Sequence, residues 1–403
     1  MCLKIKLLFS ICCGLMWLAS APVACAEEPA PVPEIAYEAG LHSQLPALAN
    51  QPNDWPWWRG PTLNNVAAEQ IVPLEFGPER NIAWSLELPG RGHASPIVVG
   101  KLVVVLTAEE ASQTYRLLAC DRGNGEIRWN TKLHEGGFAA KIHRMNSHAS
   151  ATPACDGERI FTAVVKDKQL WVSAVNLAGK VLWQQPAGPY DSIYGFGSAP
   201  ALYESLVIIC GENDQLGSWM AALHRGTGKI VWRVRRPNID TYATPLVATI
   251  ANKPQLILGG AGFVTSYNPA TGTEIWRCAG PTAETTANTA AFSSEHVYVS
   301  GGYPKPYALQ KIRATGVGEV TATHLDWKLQ KGMPYVPSPL FHEGLLYIAD
   351  DIGLGTCLDV EKGTALWARR LGGDISASPV MCGERIYVCH ENGDVRVLAR
   401  GRK

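Results

Sequence analysis

From Ile97 onward the chain is written in short apolar runs, each closed by turn residues. KLVVVL at 101, LVIIC at 206 and LLYIA at 345 are almost unbroken hydrophobic stretches, and YRLLACD, MAALHR and TCLDV follow them after a turn. Stretches with a helical period are scarce. Short runs rich in Val, Ile, Leu and Tyr, bounded by Gly, Asn and Asp, predict strands joined by tight turns.

Two landmarks recur. The first is a small residue, then Pro, then an apolar run: ASPIVV at 94, ATPACD at 151, SAPALY at 198, ATPLVA at 243, PSPLFH at 337 and ASPVMC at 377. TAAFSSEHVYV is a seventh, with Ala291 in the Pro position. Pro has no N–H and suits the first position of a strand or an edge. The second landmark is a strand ending in Trp, at Trp84, Trp129, Trp183, Trp232, Trp276, Trp327 and Trp367, which lie 40 to 54 residues apart. Five are preceded by a turn glycine: Gly125, Gly179, Gly228, Gly272 and Gly363. A glycine belongs there because a hairpin turn needs φ > 0. A Trp belongs at the strand end because neighbouring units must bury a face against each other, and one indole covers a large area. TATHLDW at 321 lacks the glycine, and a longer excursion precedes it; its third strand is ALQKIR.

A period of this length with four short strands per unit predicts an all-β fold, a single β-propeller of seven four-stranded blades. A count of eight follows if one of the longer units hides a degenerate blade. The last unit stops after its third strand, and NIAWSLEL around Trp84 has no three strands before it. The N-terminal strand is therefore expected to complete the last blade and close the ring.

Composition narrows the picture. The 403 residues carry a formal charge of zero, which removes the basic face that a nucleic-acid partner would require. Lys4 and Lys6, the apolar run 7–21 and Ala24-Cys25-Ala26 read as a signal peptide over 1–26, so the chain is expected to be exported to the periplasm or cell surface. A retained N-terminal anchor, or lipidation at Cys25, would be the only membrane contact. Residues 27–53, rich in Pro, Ala and Glu, read as a flexible linker. Residues 54–80 form a Trp-rich segment that packs on the propeller, and 81–403 form the propeller itself. WPWWRGP at 55 has two readings: an aromatic platform for a sugar or peptide, or a plug with Arg59 paired to a carboxylate. Seven cysteines remain beyond residue 26, scattered and odd in number, without CxxC or CxxCH; they read as small buried hydrophobes rather than a disulfide framework or a metal site.

These residues resemble the pyrroloquinoline-quinone (PQQ) repeat, over roughly Asn81 to Arg400. DWPWWRGPTLNNV, GRGHASPIVV and HRMNSHASATP resemble a group of exported bacterial PQQ-like propellers, within the quinoprotein alcohol dehydrogenase-like superfamily. The resemblance implies two function classes. One is the quinoprotein dehydrogenases, which hold PQQ and Ca²⁺ at the centre of the ring. The other is non-enzymatic propellers that scaffold envelope proteins. Motif residues build blades rather than a site, so the repeat does not choose between them.

Residues just before each first strand should point at the channel mouth: Arg91, His93, Asn146, His148, Tyr194, Tyr242, Asn288 and Tyr335 as ligand-binding candidates, with Asp240 and Asp374 as candidate bases. A quinone enzyme needs a carboxylate base, a cation facing the cofactor and hard oxygen ligands. The dehydrogenases also carry an adjacent-cysteine disulfide, and the only Cys-Cys here is Cys12-Cys13, inside the signal. GENDQLGSW at 211 and ADDIGLGT at 349 read as blade loops rather than Ca²⁺ sites. The reading is thus a monomeric, non-catalytic binding or scaffolding propeller with envelope protein partners. The alternatives are a PQQ- and Ca-dependent dehydrogenase and a carbohydrate-binding propeller.

Overall fold

A computed structural model describes residues 32–37, 45–281 and 284–403. The expected signal peptide and Cys25 lie outside the described residues. The described chain forms seven antiparallel meanders and one short helix, Thr321–His324. Blade 1 is Ile97–Val99, Leu102–Glu109, Thr114–Asp121 and Ile127–Glu135. Blade 2 is Ala154–Cys155, Arg159–Lys166, Gln169–Asn176 and Val181–Pro189. Blade 3 is Ala201–Tyr203, Leu206–Gly211, Trp219–His224 and Ile230–Arg235. Blade 4 is Leu246–Ile250, Lys253–Gly260, Phe263–Tyr267 and Glu274–Ala279. Blade 5 is Ala291–Phe292, His296–Gly301, Ala308–Arg313 and Leu325–Leu329. Blade 6 is Leu340–His342, Leu345–Ala349, Leu354–Asp359 and Thr364–Arg370. Blade 7 is Val380–Cys382, Arg385–Cys389 and Val395–Ala399. The architecture is the seven-bladed β-propeller that the repeat predicts.

The hydrophobic core is a set of layers. Separate buried clusters fill the interfaces between blades 1 and 2, 2 and 3, 3 and 4, 4 and 5, 5 and 6, and 6 and 7. A middle strand therefore has a neighbouring blade on both faces. That is why Leu206–Gly211 and Trp219–His224 are buried along their whole length and show no alternation.

The Gly–Trp phrase is an interblade joint. The Trp183 ring lies over Gly228 of the following blade, and its Nε1–H donates to the Arg225 carbonyl at 2.9 Å. Trp84 on Gly125, Trp129 on Gly179, Trp232 on Gly272 and Trp327 on Gly363 repeat the arrangement. Each of these indoles donates to a carbonyl just before that glycine. Gly228 has φ +74°, and a methyl group on it would sit 2.7 Å from the ring, so both the turn and the Trp above it require glycine. Trp276 differs because blade 5 has the long excursion where the others have a tight turn. Gly318–Glu319 of that excursion pairs in parallel with Trp276–Arg277, and the indole donates instead to Gln255.

The closure differs in detail from expectation. Asn81–Leu88 is not a ladder strand. The segment that joins the last sheet is Val66–Ala67, which pairs in parallel with the innermost strand of blade 7, at Met381 and Cys382. Trp84 nevertheless reaches Gly125 of blade 1, so its side chain makes the joint that its backbone does not. At the other end, Trp367 donates to the Gly401 carbonyl, and the C-terminal tail replaces the missing turn. The fifth Pro-type landmark also shifts by one. The strand starts at Ala291, immediately after the equivalent position as it does elsewhere, so Ala290 and not Ala291 stands where Pro stands in the other blades.

Stretches read as linker touch the ring at two places. Ile35 exchanges both backbone hydrogen bonds with Arg233 on the outer strand of blade 3. Ala49 N–H donates to Asp156, and the Pro46 carbonyl accepts from Arg225. Six of the seven cysteines beyond residue 26 are buried, Cys389 is exposed, and all seven are free.

Candidate binding face and hub

In an antiparallel meander, alternate connections emerge at opposite ends. The first–second turns of the blades, and the third–fourth turns of the six blades that have them, lie at one end of the ring. The second–third loops and the crossovers to the next blade lie at the other, which is the mouth face.

At the hub the blades are stitched by the residues before Pro. Ser95 N–H donates to Thr152 Oγ1, Ala199 N–H to Thr244 Oγ1, Thr289 N–H to Ser338 Oγ, and Ser338 N–H to Ser378 Oγ, at 2.9 to 3.0 Å. A pre-proline residue is held extended, which keeps its N–H and its hydroxyl facing sideways along the ring. The small residue of the landmark is therefore often Ser or Thr for a reason.

The innermost strands leave an edge of N–H and C=O groups facing the axis, and such groups need partners. Residues 54–67 supply them. Asp54 Oδ1 accepts from Gly100 N–H at 2.8 Å, at the first turn of blade 1. Trp55 pairs with Val98, and Pro56 O accepts from Cys155 N–H of blade 2. Trp58 Nε1–H donates to Thr289 Oγ1 before blade 5, and Asn64 exchanges bonds with Phe292. Asn65 donates to Pro379 O and accepts from Met381 N–H at blade 7. Trp57, Trp58 and Leu63 lie against Pro200–Leu202 and Pro245–Val247 of blades 3 and 4.

Arg59 is fully buried inside this plug. No carboxylate of the described residues pairs it as expected: its Nε–H donates to Leu63 O, one terminal nitrogen reaches Pro339 O at 2.6 Å, and the other Thr289 O at 3.5 Å. Three carbonyl dipoles replace one charge, and desolvation pulls the guanidinium down to about 9. Trp55, Trp57 and Trp58 are half-buried and engaged with the hub.

On the mouth face the candidate residues fall into separate groups. Asp240 and Tyr242 sit together before blade 4: Ser192 Oγ lies 3.3 Å from both Asp240 Oδ2 and the Tyr242 hydroxyl, and Asp214 N–H donates to Asp240 Oδ1. Beneath them Arg236 pairs with buried Glu212 at 2.7 Å, and the Thr241 hydroxyl donates to the same carboxylate, which fixes this crossover. Burial, then the neighbouring Asp214, holds the Asp240 carboxyl above the usual carboxylate range. Tyr194 is exposed, with its ring 6.2 Å from that of Tyr242, and its carbonyl accepts from Asn146. Tyr335 stacks on Tyr307 at 5.4 Å, and its backbone N–H donates to Asp351; burial raises the Asp351 carboxyl as well. Asn288 Nδ2–H donates to Tyr335 O, while its Oδ1 is buried without a partner. Arg91 and His93 lie apart, on the crossover into blade 1; Arg91 is exposed near Glu110, and His93 N–H donates to Ala149 O. His148 packs on Phe138 at 4.2 Å. Burial lowers the pKa of both histidines, with Arg91 adding to the effect on His93. Asp374 is exposed, and its carbonyl accepts from Glu391.

Sequence reasoning missed Ser192, Asp214, Asp351, Tyr303 and Tyr307. Four of these five lie in second–third loops, which share the mouth face with the crossovers. The alternation of a meander is the signal that could have found them. GENDQLGSW and ADDIGLGT are such loops, and each places an Asp at the mouth.

The residues named for a PQQ-and-calcium centre are not gathered in one place: Asp374 is exposed before blade 7, Asp240 is engaged by a hydroxyl and a backbone N–H before blade 4, and Arg59 and Trp58 bond to the hub at blades 5 and 6. Among the described residues no three of His, Cys, Asp and Glu gather as a metal-binding set. No described helix is long and apolar enough to cross a membrane.

A stretch of 148 residues, 33% of this chain, is 23% identical to methanol dehydrogenase [cytochrome c] subunit 1 of Methylorubrum extorquens, and the same-named protein of Methylobacterium organophilum is 22% identical over 148 residues. The match spans 24% of the length of each of those relatives. The solved structure of BamB from Moraxella catarrhalis superposes with a TM-score of 0.56 at 17% identity, covering 75% of this chain and 82% of that one, which shows a shared fold. A family model, PQQ_2, described as outer membrane protein assembly factor BamB, matches residues 78–192 and 314–402, together half of the chain. On that match the chain belongs to the PQQ_2 family of PQQ-like β-propellers.

Proposed function

We propose that this propeller is a non-catalytic binding or scaffolding protein of the cell envelope, exported and monomeric, that docks a partner protein on its mouth face. One observation carries the reading. Met145, Ile193, Tyr194, Tyr303 and Ile352, all on crossovers or second–third loops, are exposed on that face. They surround a mouth that offers Asp240, Tyr242, Asn288 and Tyr335. Exposed apolar and aromatic side chains around a polar centre suit a protein segment that buries its own apolar residues and satisfies its backbone at the mouth. The family description and the BamB fold support an envelope role.

The test is photo-crosslinking in the intact envelope, with the reactive group placed at residue 193 or 352 and, as control, at exposed residue 126 on a third–fourth turn. Discrete protein adducts from the mouth positions alone are expected. Adducts from neither end would sink the proposal.

The second reading, a PQQ- and Ca-dependent dehydrogenase, draws on the likeness to methanol dehydrogenase and on the raised carboxyl of Asp240. Calorimetric titration with PQQ and Ca²⁺ decides it: saturable binding at micromolar or tighter concentration, lost in Asp240→Ala, would replace the scaffold proposal. The carbohydrate-binding alternative would have to use residues other than the plug tryptophans.

A further inference from the structure

A cavity of about 130 Å³ lies between the plug and the hub strands of blades 3 and 4. Liquid water occupies about 30 Å³ per molecule, so the space holds roughly four waters or one small organic ion. Its walls are mostly apolar and include Leu63, Leu202 and Val247; Trp58, Thr244 and Thr289 also line it, already hydrogen-bonded, and two further donors stand among them. One is Arg59, a buried cation that no carboxylate of the described residues pairs. The other is Trp57, whose Nε1–H is buried without any partner. Burying a charge without a counter-ion is costly, and burying a donor without an acceptor adds to the cost. Three carbonyls answer the guanidinium in part, at three of its five N–H groups. Among the described residues nothing answers the indole.

We propose that this cavity is a binding site for a small monocarboxylate, with the carboxylate taken by Arg59 and Trp57 and a short alkyl chain lying against the apolar wall. A carboxylate is the matching shape because it accepts from a planar guanidinium and a neighbouring N–H at once. An inorganic anion would answer the donors but leave the apolar wall bare, and a neutral alkyl group would do the reverse. The cavity lies beside the plug in the hub and is lined by none of the exposed apolar side chains of the mouth face, so it stands whether or not a partner docks there.

The experiment uses the folded mature chain, with butyrate as probe, butanol as the neutral analogue of the same chain length, and chloride as the anion without a chain. Calorimetry should show saturable butyrate binding, with butanol and chloride each at least tenfold weaker, and the melting temperature should climb with butyrate concentration. Trp57→Phe keeps the ring and removes the donor, so butyrate should bind roughly tenfold more weakly. Ala201→Leu, which fills the cavity from blade 3, should abolish the response in a protein whose circular dichroism is unchanged. Equal binding of butyrate and butanol would make this an apolar void. Binding of neither would make it a water pocket, and unchanged butyrate affinity in Trp57→Phe would place any anion elsewhere; each overturns the proposal. Arg59→Met adds a further check if that variant folds.

Discussion

The two ends of the hub are served by the same seven inner strands, yet they are covered differently. At the turn end the chain supplies its own cover: residues 45–67 cross the first turns of blades 1 and 2 and bond to the hub up to Met381 of blade 7. A buried ion pair there, Asp156 with Arg225, lies at 2.6 Å with both side chains almost fully buried. At the mouth end the loops stay open, with aromatic rings and half-buried aspartates that retain unspent hydrogen-bonding capacity. A ring of edge groups must be satisfied somewhere, and satisfying it from one end leaves the other free to bind.

If that division is right, substitutions at the plugged end should act on stability and those at the mouth on binding. The largest effect is expected from Asp156→Ala, which strands the Arg225 cation in the protein; chemical denaturation should show a loss of about 3–5 kcal/mol. Trp58→Ala removes the indole between the plug and Thr289 and should cost about 3 kcal/mol in the same assay. Gly228→Ala forces a side chain into a positive-φ turn under Trp183 and should cost about 2 kcal/mol. Ile193→Ser and Tyr194→Ala should change stability by less than about 0.5 kcal/mol and still remove the adducts formed from residue 352. A large stability loss from either, or none from Asp156→Ala, would break the comparison.

The smallest effect is a pH dependence. Asp240 is a carboxyl whose folded pKa lies above its unfolded one. Its contribution to stability is fully present below the unfolded pKa and is lost as the pH rises through the folded value. Asp240→Asn should therefore give a small rise in Tm at neutral pH that disappears in acid. A fall in Tm at neutral pH would show instead that the ionised carboxylate is held by partners strong enough to outweigh its burial.

The fold was legible because each blade repeats its own instructions. The turn glycine, the Trp and the Ser/Thr-Pro step each answer a local need: a positive φ, a large face to cover, an N–H to pair across blades. Where the chain departed from the phrase, reading it alone misplaced things slightly. From the sequence Ala291 reads as the Pro position, because the blade without a Pro gives no mark of register, and only the hydrogen bond from Thr289 to Ser338 identifies Ala290. NIAWSLEL looks like a strand by its apolar content, but Val66–Ala67 is the piece that pairs with blade 7.

Of the candidate site, the sequence placed one residue set at the crossovers but could not tell which of them meet. Asp240 and Tyr242 converge through Ser192, whereas Asp374 is exposed before blade 7 with its carbonyl accepting from Glu391 N–H. The sequence by itself determined the strands from Ile97 onward, the turns and the Gly–Trp joints, all of which rest on contacts within a unit or with the next one. Only the tertiary structure decided that residues 54–67 fill the hub, that Arg59 is answered by carbonyls instead of a carboxylate, and that Asp214 and Asp351 share a face with Asp240. Those outcomes join residues more than two hundred positions apart in several cases, and no local pattern encodes a partner that only ring closure brings near.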